Sequence, residues 1–189
     1  DDAVHEAIRR HTFGAGGICL FERPDAPDSL SRPRFGPWYR TGPVTDTRYS
    51  FQVVASGPLR SIVRAHTFNW RSGAGEYELT QDYTAYTNKL YSTCEVKYLK
   101  FIPLDGGTAF GCGIRKIMYE TESYHRDGVV ISMARNMPLI DPNTETIDRQ
   151  RTTLAFAGTA LVVRDALKPV YREVASFQGN HTFRIPATP

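Results

Sequence analysis

The sequence predicts an all-β protein built as an antiparallel β-sandwich, and three observations carry that expectation. Amphipathic helix patterns are nearly missing; only Asp2–His11 has the length for a helical turn, and its apolar residues are few and small. From Tyr49 onward, runs rich in Val, Ile, Thr, Tyr and Phe alternate with short Gly, Ser, Asn and Asp clusters, which is the pattern of strands joined by turns. Those runs exceed the usual strand length of about five or six residues, and long antiparallel strands in succession suggest a large curved sheet packed on a second one.

The elements follow in order. Gly17–Glu22 reads as the first strand, after the flexible Gly14-Ala15-Gly16-Gly17. Arg23–Pro43 holds Pro24, Pro27, Pro33, Pro37 and Pro43, and proline removes ladder donors, so this stretch reads as a long irregular excursion. Trp38, Tyr39 and Arg40 near its end make it a candidate binding loop. Tyr49–Ala55, Leu59–Trp70, Glu76–Thr87 and Tyr91–Ile102 read as strands, separated by turns at Ser56-Gly57-Pro58, Arg71–Gly75 and Asn88-Lys89. Asp105-Gly106-Gly107 leads into Ala109–Met118. Tyr124 and His125 are placed in a loop. Val129–Ala134, Leu154–Val163, Val170–Phe177 and Thr182–Ile185 complete the set, with 138–148 as a polar loop.

A chain of 189 residues suits one sandwich domain over 1–189 and is short for two ordinary domains. A 12% share of aromatic residues argues against disorder. The 23 basic and 20 acidic residues leave a net charge of +3, too balanced to point to nucleic acid. No apolar run approaches the roughly 18–20 residues of a helical membrane span, so no membrane partner is expected. Cys19, Cys94 and Cys112 are odd in number and lack metal-ligand spacing, which favours buried free thiols. No metal or cofactor motif is visible, and none is expected. The chain opens Asp1-Asp2-Ala3-Val4 with neither signal peptide nor initiator Met, as a mature secreted product or a proteolytic fragment would. Asn180-His181-Thr182 fits the glycosylation sequon.

Leu59–Trp70 is the most informative segment. Alternation puts Leu59, Ser61, Val63, Ala65 and Thr67 on one face and Arg60, Ile62, Arg64, His66, Phe68 and Trp70 on the other. Guanidinium groups clamp carboxylates or sulfates and rings stack on sugar faces, so the second set fits an anionic, ring-shaped ligand. With Arg71–Gly75 as the loop, Trp70 faces Glu76. Arg64 then lies opposite Asp82, His66 opposite Thr80, Phe68 opposite Glu78 and Arg60 opposite Tyr86, with Tyr98 and Lys100 added by the next strand. The alternative is a polar face laced with cross-strand salt bridges. Gly111 and Gly113 inside a strand mark a bulge or a close approach, and Arg115 and Lys116 follow them as further positive charge.

Gly14-Ala15-Gly16-Gly17-Ile18, Ala55-Ser56-Gly57-Pro58-Leu59-Arg60 leading into a long strand, and Gly111-Cys112-Gly113-Ile114 together resemble a bacterial family of unknown function. Its members are encoded near carbohydrate-degrading enzymes in polysaccharide-utilisation loci, and a galactose-mutarotase-like β-supersandwich is expected for them. The likeness runs in order from Arg10 to Ile185. Family members are longer, with an amino-terminal β-region before the Gly-rich segment. The resemblance therefore implies that this chain is a fragment, or that a second chain supplies the rest. It also implies polysaccharide-related chemistry.

On this reading the protein is a secreted or periplasmic carbohydrate-active enzyme whose partner is an acidic oligosaccharide or polysaccharide. β-Elimination, as in a lyase or sugar dehydratase, uses the residues on offer. Arg60 and Arg64 clamp the acid, with Arg64 counted as catalytic because it neutralises the carboxylate. His66 is the base and Tyr86 the acid. Trp38, Phe68, Trp70, Glu78, Asp82 and Arg115 complete the binding set. Hydrolysis would want two carboxylates about 5–9.5 Å apart. Glu78 and Asp82, four residues apart on one strand, stand about 13 Å apart. Two alternatives stay open: a non-catalytic carbohydrate-binding sandwich using Trp38, Phe68 and Trp70, and a hydrolase or aldose-epimerase-like enzyme, the latter with His66 and Glu78 as its acid/base pair.

Overall fold

The computed structural model describes residues 13, 16–22, 30–33, 47–72, 75–103, 106–117, 119–138, 153–174 and 179–186. The described residues are almost entirely β, as expected, and hold twelve strands and one 3-10 turn at Asp165–Leu167. Every pairing between the described strands is antiparallel. The chain divides into two compact units, one formed by Asp1–Arg32 with Gly107–Pro189 and the other by Pro33–Gly106. Trp38, Tyr39 and Arg40 lie outside the described residues, as do 23–29 and 34–43 of the excursion expected over Arg23–Pro43, residues 139–148 of the polar loop expected at 138–148 and the helical turn expected at Asp2–His11.

The first unit opens with β1 (Gly17–Phe21) and β2 (Leu30–Ser31), which pair through Phe21 and Leu30. The second unit contributes β3 (Arg48–Ser56), β4 (Arg60–Ser72), β5 (Gly75–Tyr86) and β6 (Ser92–Ile102), joined in sequence as one four-stranded sheet. The chain then returns to the first unit with β7 (Ala109–Arg115), β8 (Glu122–Arg126), β9 (Val129–Pro138), β10 (Thr153–Val162), β11 (Val170–Val174) and β12 (Asn180–Ile185).

Within the first unit, β11-β12-β7-β1-β2 form a five-stranded sheet and β10-β9-β8 a three-stranded one. Ile114, Phe183 and Ile185 of the larger sheet pack with Val130 of the smaller one and with Val163 to make a shared core. This is the sandwich. Gly113 lies where a Cβ would come within 2.7 Å of the His181 carbonyl, so the strand glycine does mark a close approach by a neighbouring backbone. The segment around His125, expected as a loop, is instead β8. Asp127 and Gly128 both take positive φ and connect Arg126 to its partner Val129 in a two-residue hairpin. That Asp-Gly pair was the signal that could have revealed β8. Asn180 and Thr182 of the sequon are fully buried in β12, which leaves no room there for a glycan.

In the second unit the expected pairing of Leu59–Trp70 with Glu76–Thr87 holds from Arg60↔Tyr86 through Arg64↔Asp82 and His66↔Thr80 to Thr67↔Leu79. Beyond Thr67 the register shifts by one, so that Trp70 pairs with Tyr77 and Arg71 with Glu76. Asn69, at φ 54°, takes up the extra residue as a bulge. The expectation that Trp70 shares a face with His66 is therefore corrected. The bulge carries Trp70 to the opposite face, where it is buried against Tyr77 with ring centroids 5.2 Å apart. A second bulge sets Leu79 opposite Tyr98 and Glu78 opposite Lys100. Tyr98 thereby joins the buried face, whereas Lys100 joins the polar one. The buried face carries Ala65, Thr67, Trp70, Tyr77, Leu79 and Gln81.

Candidate active site

The polar face of the four-stranded sheet is a grid set by the register. One cross-strand row reads Gln52, Arg64, Asp82 and Glu95; the next reads Ser50, His66, Thr80 and Lys97. Arg48 pairs with Phe68 beyond the second row. Side chains at paired positions project to the same side, which is why residues remote in sequence meet here.

Two contacts dominate this face. The Arg64 guanidinium makes a bidentate pair with Asp82, Nε to Oδ1 and Nη2 to Oδ2, both at 2.6 Å. The hydrogen bond and charge of Asp82 raise the Arg64 pKa, and Arg64 in turn holds the Asp82 carboxyl below its ordinary range. His66 Nε2 lies 2.7 Å from Glu78 Oε1. A carboxylate only accepts, so the Nε2–H donates and Nδ1 of the neutral ring keeps its lone pair. Nδ1 has no hydrogen-bond partner among the described residues. The imidazole is about a third open, with 31% of its side-chain surface exposed, and the Phe68 ring meets it edge-on at 5.1 Å. Lys100 and Arg71 both turn toward Glu76.

The expected site residues thus part into groups. His66, Glu78, Arg64, Asp82 and Phe68 share the polar face of β4 and β5. Arg60 and Tyr86 pair at the far end of the same strands, six residues from the His66 row, or about 20 Å at 3.2–3.4 Å per residue. Tyr86 and His66 therefore do not reach one bond. Arg115 lies on β7 of the other unit.

The sequence reading missed a second constellation, in the first unit. His181 on β12 is buried between the two sheets, 1% exposed. Its Nε2 lies 2.7 Å from Glu120 Oε2 and its Nδ1 2.7 Å from the Tyr171 hydroxyl. Ser132 Oγ donates to the same Glu120 oxygen and accepts from the Ile117 amide at 2.9 Å. Lys116 pairs with Glu173 and stands 3.8 Å from Glu120 Oε1. The His125 ring stacks flat on Tyr171 at 3.8 Å. Burial, with the nearby carboxylates Glu173 and Glu120, pushes the Tyr171 phenol up to about 12. The Lys116 hydrogen bond holds Glu173 below its usual range. Asn180-His181-Thr182 was read only as a sequon, and no sequence spacing links Glu120, Ser132, Tyr171 and His181.

The chain matches no protein-family model, no curated protein and no solved structure.

Proposed function

We propose that the protein is a carbohydrate-active enzyme that binds acidic oligosaccharides on the polar face of β3–β6 and cleaves them by β-elimination. The observation that supports this reading best is the His66–Glu78 pair: a partly exposed imidazole, fixed through Nε2 by a carboxylate, with no partner for its Nδ1 among the described residues. A base oriented by a second group is the arrangement proton abstraction asks for.

In the proposed step a uronate ring lies over Phe68, and His66 Nδ1 takes the proton from the carbon that bears the carboxylate. The electrons of that C–H bond form a carbon–carbon double bond, and the glycosidic C–O bond on the neighbouring carbon breaks. The imidazolium then returns the proton to the leaving oxygen. Glu78 stabilises the imidazolium while it exists. Arg64 keeps its positive charge near the reacting ring, but Asp82 already occupies its fork. Tyr86 is not needed as the acid in this scheme, in keeping with its distance from His66. The resemblance to a polysaccharide-utilisation family of supersandwich proteins, and a secreted or periplasmic place of work, belong to the same proposal.

The test is a near-ultraviolet scan of the protein incubated with uronate oligosaccharides. Elimination creates an unsaturated, absorbing uronyl product. A protein that binds these glycans and produces no absorbance is a carbohydrate-binding sandwich, and the catalytic reading is lost.

A further inference from the structure

We propose that Arg48, rather than Arg64, is the residue that takes the substrate carboxylate and so sets the preference for an acidic sugar; this deepens the reading above and rests on it. Among the described residues, every other cation on the polar face is spent or misplaced. Arg64 gives both arms of its fork to Asp82. Lys100 and Arg71 are turned to Glu76. Arg60 sits six residues along the strand from His66. Lys97 shares the His66 row but stands two strands away, beyond Thr80.

Arg48 stands apart from these. It is exposed, it pairs directly with Phe68, and it has no ion pair among the described residues. Ser50 is the residue opposite His66, so Arg48 is the diagonal neighbour of His66 on the adjoining strand. Diagonal positions of an antiparallel pair stand about 7–8 Å apart.

Side chains rooted at that spacing can bring a guanidinium and an imidazole to the separation the proposed chemistry needs. In a uronate the carboxylate is bonded to the carbon that loses its proton. A guanidinium gripping the carboxylate and an imidazole reaching the adjacent hydrogen must then stand about 7 Å apart, two hydrogen-bond lengths plus the C–COO unit. A planar fork matches a carboxylate through two parallel bonds, which an ammonium cannot do. Phe68, opposite Arg48 and edge-on to His66, supplies the surface on which the ring between them rests.

Calorimetric titration with trigalacturonate, trimannuronate and triguluronate, and with the methyl ester of whichever binds, tests this. The ester keeps the ring and loses the charge. Arg48→Gln should weaken binding of the acid about tenfold or more, leave the ester within about twofold, and Arg48→Lys should fall between. Arg64→Gln should affect acid and ester alike, because it disturbs the face without removing the carboxylate's partner. If Arg48→Gln binds the acid normally and Arg64→Gln loses it selectively, this inference is overturned while the proposed function stands. If wild type binds none of the three acids, both fall.

Discussion

Each unit of the molecule holds a histidine whose Nε2 lies 2.7 Å from a glutamate oxygen, and the two pairs differ in everything else. His181 is sealed between two sheets and spends both ring nitrogens inside the protein, one on Glu120 and one on Tyr171. His66 lies on a half-open sheet face and spends one. The same short contact therefore has opposite meanings. A buried imidazole with both nitrogens occupied is a strut, because removing any partner strands a polar group away from water. A partly open imidazole with one nitrogen held and one bare can exchange a proton with a ligand. Counting the partners of each ring nitrogen separates the two roles; the distance to glutamate does not.

The largest expected effect separates the histidines by stability. His181→Ala leaves Glu120 and the Tyr171 hydroxyl without their shared partner and should cost about 3–5 kcal/mol, the range for breaking a buried pair. Urea melts should show this as a lower midpoint with little change in slope. A loss under about 1 kcal/mol would mean that the Tyr171–His181–Glu120–Ser132 contacts are not holding the two sheets of the first unit.

The activity effect should run the other way. His66→Ala should keep its fold, with a stability change under about 1 kcal/mol. It should cut turnover on a uronate substrate by about 10²-fold or more, the low end for a lost general base. A variant that unfolds, or that turns over normally, would place His66 with His181 as a structural residue.

Tyr171→Phe sharpens the comparison by emptying one side of His181. It should cost about 1–3 kcal/mol, because Nδ1 is left buried without a donor. It should also change the alkaline limb. The folded Tyr171 holds its proton up to about 12, above the ordinary phenol value near 10. The fold therefore gains stability that is fully present below pH 10 and is lost as pH rises toward 12. That loss should be missing from stability measured against pH for the phenylalanine variant.

The smallest effect lies at acid pH. Asp82, Glu76 and Glu173 are each held below their ordinary pKa, chiefly by hydrogen bonds from Arg64, Lys100 and Lys116. A depressed carboxyl stabilises the fold above its unfolded pKa, near 4, and that share fades as pH falls through the folded value. Asp82→Asn should flatten the acid limb slightly, and added salt should shrink the difference because the pair is open to solvent. An acid limb identical to wild type at low salt would show that the Arg64–Asp82 contact is energetically silent.

How much of this was legible without coordinates follows from the range of each interaction. Period-two alternation and turn residues are local, so the sequence alone determined the β class, the long strands of the second unit and the cross-strand meetings of Arg64 with Asp82 and His66 with Thr80. One local signal was passed over, the Asp127-Gly128 hairpin that makes β8; the bulge at Asn69, which sends Trp70 to the buried face, left none. A single inserted residue reverses a side chain's direction, and alternation cannot say where the insertion falls. Only tertiary structure could decide that the Arg64 fork is already filled, that Arg48 lies beside Phe68, and that Glu120, Ser132, Tyr171 and His181 converge. The Glu120, Ser132, Tyr171 and His181 contacts join segments whose separation in the chain carries no period, and their geometry is set by how the two sheets of the first unit close on a common core, whereas the Arg64 and Arg48 neighbourhoods follow from register within one sheet.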